Sequence, residues 1–468
     1  MNDSPKSRQI GYIKFVVMSL IGIFLFMVPF PVWSYADGEY TRTFNIPLGI
    51  ALRWLGETIN SVTFNNFGLL FFIATLIITL SFLATVYAYL FQPAFIMASE
   101  KLRRIFLSAP IYLISKAIAV VIAWMVFLNV GPEWLIGTWY GGGLMMGLIA
   151  GGGGLIAIFF VVGIAIPILT DFGLMEFLGT LIRRVVRFLF TLPGRSSIDL
   201  FGSWFSSSAA GVIITRDQHE KGYYTHREAS AICVNFELVS LPFTFVVASQ
   251  IGMTSHFALF YLVICVTAIL LAMLMPRIWP LNRIKDEYLP EVGKQIEEEV
   301  PPGTSMFNRA VNMAGIRADR TGAGDVVKSG LSNWLSIFMD IIPIILAWGA
   351  IAVILEAQTP IFDWLSWPFA RYLDLLRVPY GAEYAPATIV GFIDMFIPAL
   401  LIGSAPMETR FILGALSIVQ IIYLAETGIL ILKSKMPLNI GHLAILFVMR
   451  TIIALPIIVL FTRLFFNA

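Results

Sequence analysis

Ionisable side chains inside long apolar segments are the residues of this sequence best suited to chemistry. The relevant set consists of Glu237, Asp340, Glu356, Asp394, Glu426 and Arg450. A charge at the centre of a bilayer costs roughly 2.5 to 3.5 kcal/mol on insertion scales, so such residues usually mark a substrate or ion pathway. One of the acids could bind a cationic group or alternate between ionised and protonated forms. A static ion pair, for instance between Glu426 and Arg450, is the structural alternative.

Neutral hydrogen-bonding side chains surround Glu237. At about 100° per residue, a helix places four side chains on one face, Ser230, Cys233, Glu237 and Ser240. Asn235 points nearly the other way. Pro242 removes one backbone donor, so we expect the helix to bend there and to expose a carbonyl beside Glu237.

A similar set surrounds Glu426. Gln420, Tyr423 and Thr427 form one stripe of a second predicted helix, with Glu426 about 60° to one side. We predict that the two helices face one cavity near the middle of the membrane.

Two apolar runs are too short or too polar to cross a bilayer, which takes about 20 residues. The first, 201–215, carries Ser206, Ser207 and Ser208 at its middle, and the second, 390–398, carries Asp394. Each could enter and leave the membrane on one side as two half-helices, if other helices cover the open backbone. The alternatives are a short buried segment for the first run and a full span over 385–403 for the second.

The elements that position these residues are membrane helices. The chain of 468 residues is 58% hydrophobic and only 13% charged, whereas soluble domains have about a quarter charged residues. Long unbroken apolar runs favour helices over a β-barrel. We predict spans at about 15–33, 68–91, 109–130, 138–170, 229–250, 256–275, 331–357, 410–432 and 441–465. Lys116 lies close enough to a span end to snorkel towards water.

Several kinds of site are absent from the sequence. The glycine run 151–154 lacks the Lys and Ser/Thr of a phosphate-binding loop, and the four histidines have no metal-ligand spacing. Cys233 and Cys265 lie inside apolar segments, so no disulfide framework is expected. A net charge of +2 without a long basic run gives no reason to expect nucleic acid. We expect no enzyme and no cofactor, apart from a coupling Na+ or H+.

The same succession of predicted elements occurs twice along the chain. It consists of a span, an amphipathic interfacial helix, a proline turn, a broken hairpin and two spans. Counting crossings from a cytoplasmic N-terminus gives the copies opposite orientations, an architecture of secondary transporters. The predicted fold is an all-α polytopic membrane protein with about nine transmembrane helices, two re-entrant hairpins and two interfacial helices in an inverted repeat. Its parts are an N-terminal scaffold (1–137), a first repeat (138–276), a cytoplasmic linker with at most one short helix (277–330) and a second repeat (331–468).

Four short motifs resemble a known family. They are Gly202-Ser203-Trp204, Gly222-Tyr223-Tyr224-Thr225, Arg227-Glu228-Ala229 and Asn235-Phe236. The sequence around them is similar to the nucleoside-recognition (Gate) domain family, in particular to its YjiH-like membrane proteins. The resemblance implies a transporter-like unit without fixing the solute.

We therefore predict a secondary active transporter in a bacterial cytoplasmic membrane, coupled to H+ or Na+. Its substrate would be a small polar solute, an amino acid or dipeptide-like amine or a nucleoside. The candidate binding residues are Ser206, Ser207, Ser208, Asn235, Glu237, Ser240, Asp394, Gln420, Tyr423 and Glu426. The alternative is a non-transporting component of a multi-protein assembly, and either version could form a homo-oligomer or bind a small membrane-protein partner.

Overall fold

The structure is a computed structural model. It describes residues 5–28, 30–36, 39–45, 63–64, 67–107, 110–131, 171–190, 192–194, 208–236, 238–294, 305–336 and 342–466, with a few isolated positions between them. The predicted span at 138–170 lies outside the described residues, apart from three positions near its end, and Asp340 also lies outside them.

The N-terminal part combines helices with two short antiparallel strand pairs. Its elements are α1 (Pro5–Met27), β1 (Phe30–Ala36), β2 (Glu39–Asn45), β3 (Thr63–Phe64), β4 (Phe67–Gly68), α2 (Leu69–Phe91), α3 (Ala94–Met97), α4 (Glu100–Phe106) and α5 (Pro110–Leu128). β1 pairs with β2, and β3 pairs with β4. Helices dominate the described residues, in agreement with the predicted all-α class, and the two short strand pairs are an addition to it.

The first predicted span is too long at its C-terminal end. Helix α1 ends at Met27, and Trp33, predicted to anchor the span, lies in β1 opposite Arg42. The sequence has proline at positions 29 and 31. Proline lacks the backbone donor that a helix interior needs, so it favours a helix end here.

Lys116 is fully buried and does not snorkel, contrary to the prediction. Its Nζ donates to Thr85 Oγ1 and to the carbonyl oxygen of Ile105, both at 3.0 Å. Ile105 lies in the last turn of α4, where carbonyls have no partner within the helix. The ammonium group therefore caps α4 and ties it to α2 and α5.

The middle of the chain contains helices and three short 3₁₀ turns. The helices are α6 (Leu174–Phe190), α7 (Ser208–Glu220), α8 (His226–Asn235), α9 (Leu241–Gln250), α10 (Phe257–Leu274), α11 (Met306–Arg320) and α12 (Ala323–Ser336). The 3₁₀ turns are Thr254–His256, Met275–Arg277 and Leu281–Arg283. The linker region was predicted as a solvated loop with at most one short helix, and it instead contains α11 and most of α12. Small buried residues on α11, such as Ala310 and Ala314, let it pack closely against α1 and α6.

The C-terminal part is helical throughout. Its elements are α13 (Ile342–Gln358), α14 (Ile361–Leu375), α15 (Pro386–Val390), α16 (Ile397–Leu401), α17 (Met407–Val419), a π-helical turn (Leu424–Gly428), α18 (Ile429–Leu432) and α19 (Ile440–Phe466). Pro456 lies inside α19 and frees the carbonyl of Ile452. The hydroxyl of Tyr372, on α14, donates to that carbonyl at 2.9 Å.

Residues 385–403 fold back on themselves. The short helices α15 and α16 are separated by a turn, and Tyr384 Oη lies 3.3 Å from Ser404 Oγ. A helix of 19 residues would hold its ends nearly 30 Å apart. The segment is therefore a hairpin rather than one continuous helix.

Four described helices are long and apolar enough to cross a membrane. The matching segments are Gln9–Phe26, Phe72–Phe91, Thr254–Arg283 and Ile440–Phe465, with a shorter apolar helix at Tyr112–Leu128. Together with the apolar composition, these helices identify a membrane protein.

Basic side chains from distant segments cap several helix C-termini. The arginine-to-carbonyl pairs are Arg277 with Leu189 (3.0 Å), Arg410 with Ile251 (2.9 Å) and Arg463 with Leu376 (2.7 Å). A cation is favourable there because the helix dipole makes that end negative.

Candidate functional site

The fifth predicted span is interrupted in its middle. Helix α8 ends at Asn235, residues 238–240 are not helical, and α9 begins at Leu241. Pro242 is tolerated in the first turn of α9, where its missing donor costs no hydrogen bond. Ser240 is the N-cap, and its Oγ accepts from the backbone N–H of Phe243 at 3.4 Å. The predicted common helix face from Ser230 to Ser240 is therefore wrong, because the helix stops between them.

The eighth predicted span is also interrupted in its middle. Helix α17 ends at Val419, and Ile421 has a left-handed φ of 63° before the π-helical turn begins. Such a conformation is costly for a β-branched residue, so the surrounding structure must impose it. The predicted stripe of Gln420, Tyr423 and Thr427 is accordingly wrong.

Local side-chain hydrogen bonds stabilise the non-helical backbone at this second break. The hydroxyl of Tyr423 donates to the carbonyls of Ser417 and Ile418, both at 2.8 Å, in the last turn of α17. Thr427 Oγ1 accepts from the backbone N–H of Tyr423 at 3.1 Å and donates to the carbonyl of Ile421 at 3.0 Å. These bonds satisfy backbone groups that a continuous helix would pair internally.

Arg450 on α19 joins the two breaks. Its guanidinium is fully buried, and Nε and Nη2 donate to the Val419 carbonyl at 3.0 and 2.7 Å. Nη1 donates to the Val234 carbonyl at 3.0 Å and to Asn235 Oδ1 at 2.8 Å. Both carbonyls lie in the last turn of a half-helix, where they are unpaired and the helix dipole is negative. One cation therefore caps the facing ends of α8 and α17.

The hairpin of α15 and α16 touches both breaks. The backbone N–H of Leu424 donates to the Phe392 carbonyl at 2.9 Å, beside the second break. The ring of Phe396 packs edge-on against Phe243 of α9, with centroids 6.2 Å apart. Asp394 between them is buried, and its Oδ1 accepts from the Phe396 backbone N–H at 2.8 Å. The carboxylate thus lies at the turn of the hairpin, at the start of α16.

Gln420 presents an unused acceptor next to the hairpin. Its Nε2 donates to the Thr388 carbonyl and to Thr451 Oγ1, both at 2.8 Å. Its Oε1 is buried and has no hydrogen-bond partner among the described residues. A buried acceptor without a partner costs about 1 to 3 kcal/mol, so a donor placed there would bind favourably. Gly391 borders this oxygen, and a Cβ at that position would lie 2.2 Å from it.

Some of the predicted binding residues lie close together in the structure, and others are not described by it. Grouped around Arg450 and the two breaks are Asn235, Ser240, Asp394, Gln420 and Tyr423. Ser206, Ser207 and Glu237 lie outside the described residues, and only the backbone of Ser208, Glu356 and Glu426 is described. The proposed ion pair of Glu426 with Arg450 therefore stays a prediction. Sequence reasoning missed Thr388 and Thr451, which no hydropathy or spacing signal distinguishes.

Two histidines meet where the end of α7 packs beside the start of α8. His219 is fully buried, and its Nε2 lies 3.1 Å from Nδ1 of His226. Burial, reinforced by the charges of His226 and Lys435, lowers the pKa of His219 from 6.5 to about 4. Thr225 closes a capping box with Glu228 at the start of α8.

Three comparisons with known proteins give one family, one relative and one solved structure. A sequence model described as nucleoside recognition (Gate) matches residues 153–254, which include the first break. An uncharacterized protein of Alkalihalophilus pseudofirmus is 40% identical over 456 residues, covering 97% of this chain and 95% of that protein. The crystal structure of the Alcanivorax borkumensis YdaH transporter aligns over 99% of both chains, with 11% identity and a TM-score of 0.22. That structural similarity is too weak to carry a conclusion.

Proposed function

The chain belongs to the nucleoside-recognition (Gate) family, and from this premise we propose that it is a membrane transporter for a small polar solute. The observation that carries the proposal is the pair of interrupted helices whose ends meet at Arg450. Non-helical backbone inside a membrane is tolerated only where protein covers it or where it lines a cavity. In transporters, such breaks bind the substrate and the coupling ion.

The chemistry at the breaks favours a solute that donates hydrogen bonds. Gln420 Oε1 is an acceptor without a described partner, and Asp394 adds a carboxylate at the hairpin turn. Asn235, Ser240 and Tyr423 supply further polar atoms. An amine, as in an amino acid or dipeptide, and a nucleobase both carry suitable N–H donors. Ser206, Ser207 and Ser208 complete the proposed site on the first hairpin.

Coupling to H+ or Na+ is assigned, within this proposal, to the acids of the two broken helices. Glu237 follows the end of α8 by two residues, and Glu426 lies in the π-helical turn of the second break. The transporter would work in the bacterial cytoplasmic membrane with its N-terminus in the cytoplasm. Glu237→Gln should abolish gradient-driven accumulation while the protein still folds, since the amide keeps the shape and loses the titratable proton.

Uptake into proteoliposomes tests the proposal. The purified protein is reconstituted, an H+ or Na+ gradient is imposed, and amino acids, dipeptides, amines and nucleosides are offered in turn. We expect one class to accumulate with the parent protein and to fail with Asn235→Ala. Thr462→Val, which alters a buried hydroxyl of α19 far along the helix from Arg450, is the matched control and should keep uptake. Accumulation of no solute class under either gradient would contradict the proposal.

A further inference from the structure

Helices α11 and α12, here called the linker platform (306–336), are held at the level of a membrane span. Gly315 of α11 packs directly on α1, where an added Cβ would lie 2.5 Å from the ring of Tyr12. A Cβ on Gly11 would lie 2.4 Å from the Gly315 carbonyl oxygen. The two backbones therefore approach closely, and the contact falls inside the apolar segment Gln9–Phe26.

Polar contacts fix the platform in this position. Tyr12 Oη donates to Asn312 Oδ1 at 3.2 Å, and Lys14 Nζ donates to the Thr321 carbonyl at 3.3 Å. Arg317 pairs with Glu176 of α6 at 3.6 Å. The platform is thus attached to both α1 and the amphipathic helix α6, and it cannot lie far from the membrane.

The outward face of the platform is apolar and basic. The exposed apolar side chains of the platform are Phe307, Met313 and Ile316 on α11 and Val327 and Leu331 on α12, between 40% and 59% exposed, and the ring of Phe307 contacts Phe177 of α6. At about 100° per residue, Arg309 and Arg320 lie beside Met313 and Ile316 on α11, whereas Asn308, Asn312 and Asp319 lie on the opposite edge of its exposed surface. Apolar residues flanked by arginine are typical of a helix that lies in a membrane interface.

A polar cavity adjoins this face. Its volume is about 270 Å³, and it is lined by Asp171, Arg317, Arg320, Thr321, Asp325 and Ser329. Its two guanidinium groups lie beside two carboxylates, and Arg317 already pairs with Glu176, so Arg320 is the group that suits a phosphate. The hydroxyls and carboxylates around them suit the hydroxyl groups of a glycerol headgroup.

We infer that the linker platform binds anionic phospholipid in the leaflet that α1 enters. Met313, Ile316, Val327 and Leu331 lie among the acyl chains near the headgroups, and Arg309 and Arg320 bind lipid phosphates. The linker therefore anchors to the membrane rather than extending into solvent.

Nitroxide depth measurements test the placement of the face. Single cysteines replace Met313 or Ile316 in full-length protein lacking Cys233 and Cys265, with Asn308→Cys and Lys294→Cys as exposed controls. The protein is reconstituted in phosphatidylcholine vesicles containing phosphatidylglycerol. We expect labels at 313 and 316 to collide more with oxygen than with a water-soluble nickel chelate, and both controls to show the reverse. Equal nickel access at all four sites would overturn the inference.

Lipid titration tests the role of the arginines. Phosphatidylglycerol or phosphatidylcholine is added to the detergent-purified protein, and lipid binding is followed by thermal stabilisation. The double variant Arg309→Gln/Arg320→Gln should bind phosphatidylglycerol about fivefold more weakly for each arginine removed, with phosphatidylcholine binding unchanged. Lys433→Gln, an exposed basic residue elsewhere, should leave both unchanged. Equal phosphatidylglycerol affinity in the double variant and the parent would contradict the inference, and neither measurement requires transport.

Discussion

Removal of the Arg450 guanidinium should strongly destabilise the protein. Arg450→Met leaves the carbonyls of Val234 and Val419 and the amide oxygen of Asn235 without their buried donor. Each buried acceptor without a partner costs about 1 to 3 kcal/mol, so the free energy of unfolding should fall by at least about 3 kcal/mol. Arg450→Lys keeps the charge but lacks the planar fork, and an ammonium can reach only one helix end well. The free energy of unfolding of Arg450→Lys should therefore lie between those of the parent and of Arg450→Met.

The assay is denaturant unfolding of the purified protein in mixed micelles, followed by circular dichroism. A double-mutant cycle with Asn235→Ala isolates the bond between Arg450 Nη1 and Asn235 Oδ1, which should contribute about 1.5 to 3 kcal/mol as a bond to a charged group. Lys433→Met is the control for loss of a cation at the surface. If Arg450→Met unfolds within about 1 kcal/mol of the parent, the guanidinium does not hold the two breaks together.

Three further outcomes follow from the described contacts. Lys116→Met should lower the free energy of unfolding by about 1 to 3 kcal/mol in the same assay, because the Ile105 carbonyl loses its cap. Stability should fall by up to about 3 kcal/mol as pH drops from 6.5 to about 4, since the unfolded chain then protonates His219 and the buried ring stays neutral. His219→Asn should flatten this dependence in pH-resolved unfolding. Gly391→Ala should destabilise by about 1 to 3 kcal/mol, whereas Gly403→Ala, whose nearest neighbour would be 3.9 Å away, should not.

The sequence was sufficient for the membrane class and for most of the apolar helices. A long apolar run has one stable outcome in a bilayer, so hydropathy locates the helices that begin near Leu69, Phe257 and Ile440. Hydropathy also marked Arg450 as a buried charge. It could not identify the partners of Arg450, because these are backbone carbonyls and every residue has one.

The positions of the two breaks could not be predicted from the local sequence, for a related reason. Residues 236–240 and 420–423 are largely apolar, so they continue the hydrophobic pattern while the helix stops. Pro242 does mark the first break, but proline is compatible with the first turn of a new helix as well as with a bend. Ile421 opposes its own local preference, and its conformation is held by the hydrogen bonds of Tyr423 and Thr427 together with the long-range contact of Arg450 with Val419.

Lys116 is a further residue whose contacts could not be predicted from the local sequence. Its place in the second turn of α5 is consistent with snorkelling, and distance along the helix gives no other information. The neighbouring end of α4 supplies an unpaired carbonyl inside the protein, and the ammonium binds there instead. Contacts between distant segments decided the outcome.

Hydrogen exchange with and without a transported solute tests most directly whether the two breaks form the binding site. Once uptake identifies a solute, deuterium incorporation is compared by mass spectrometry in the purified protein. We expect the solute to slow exchange in the segments 234–241 and 419–428 and in the hairpin turn 391–396, with little change in α2 or α12. Protection confined to other segments, with all three of these unaffected, would contradict the account.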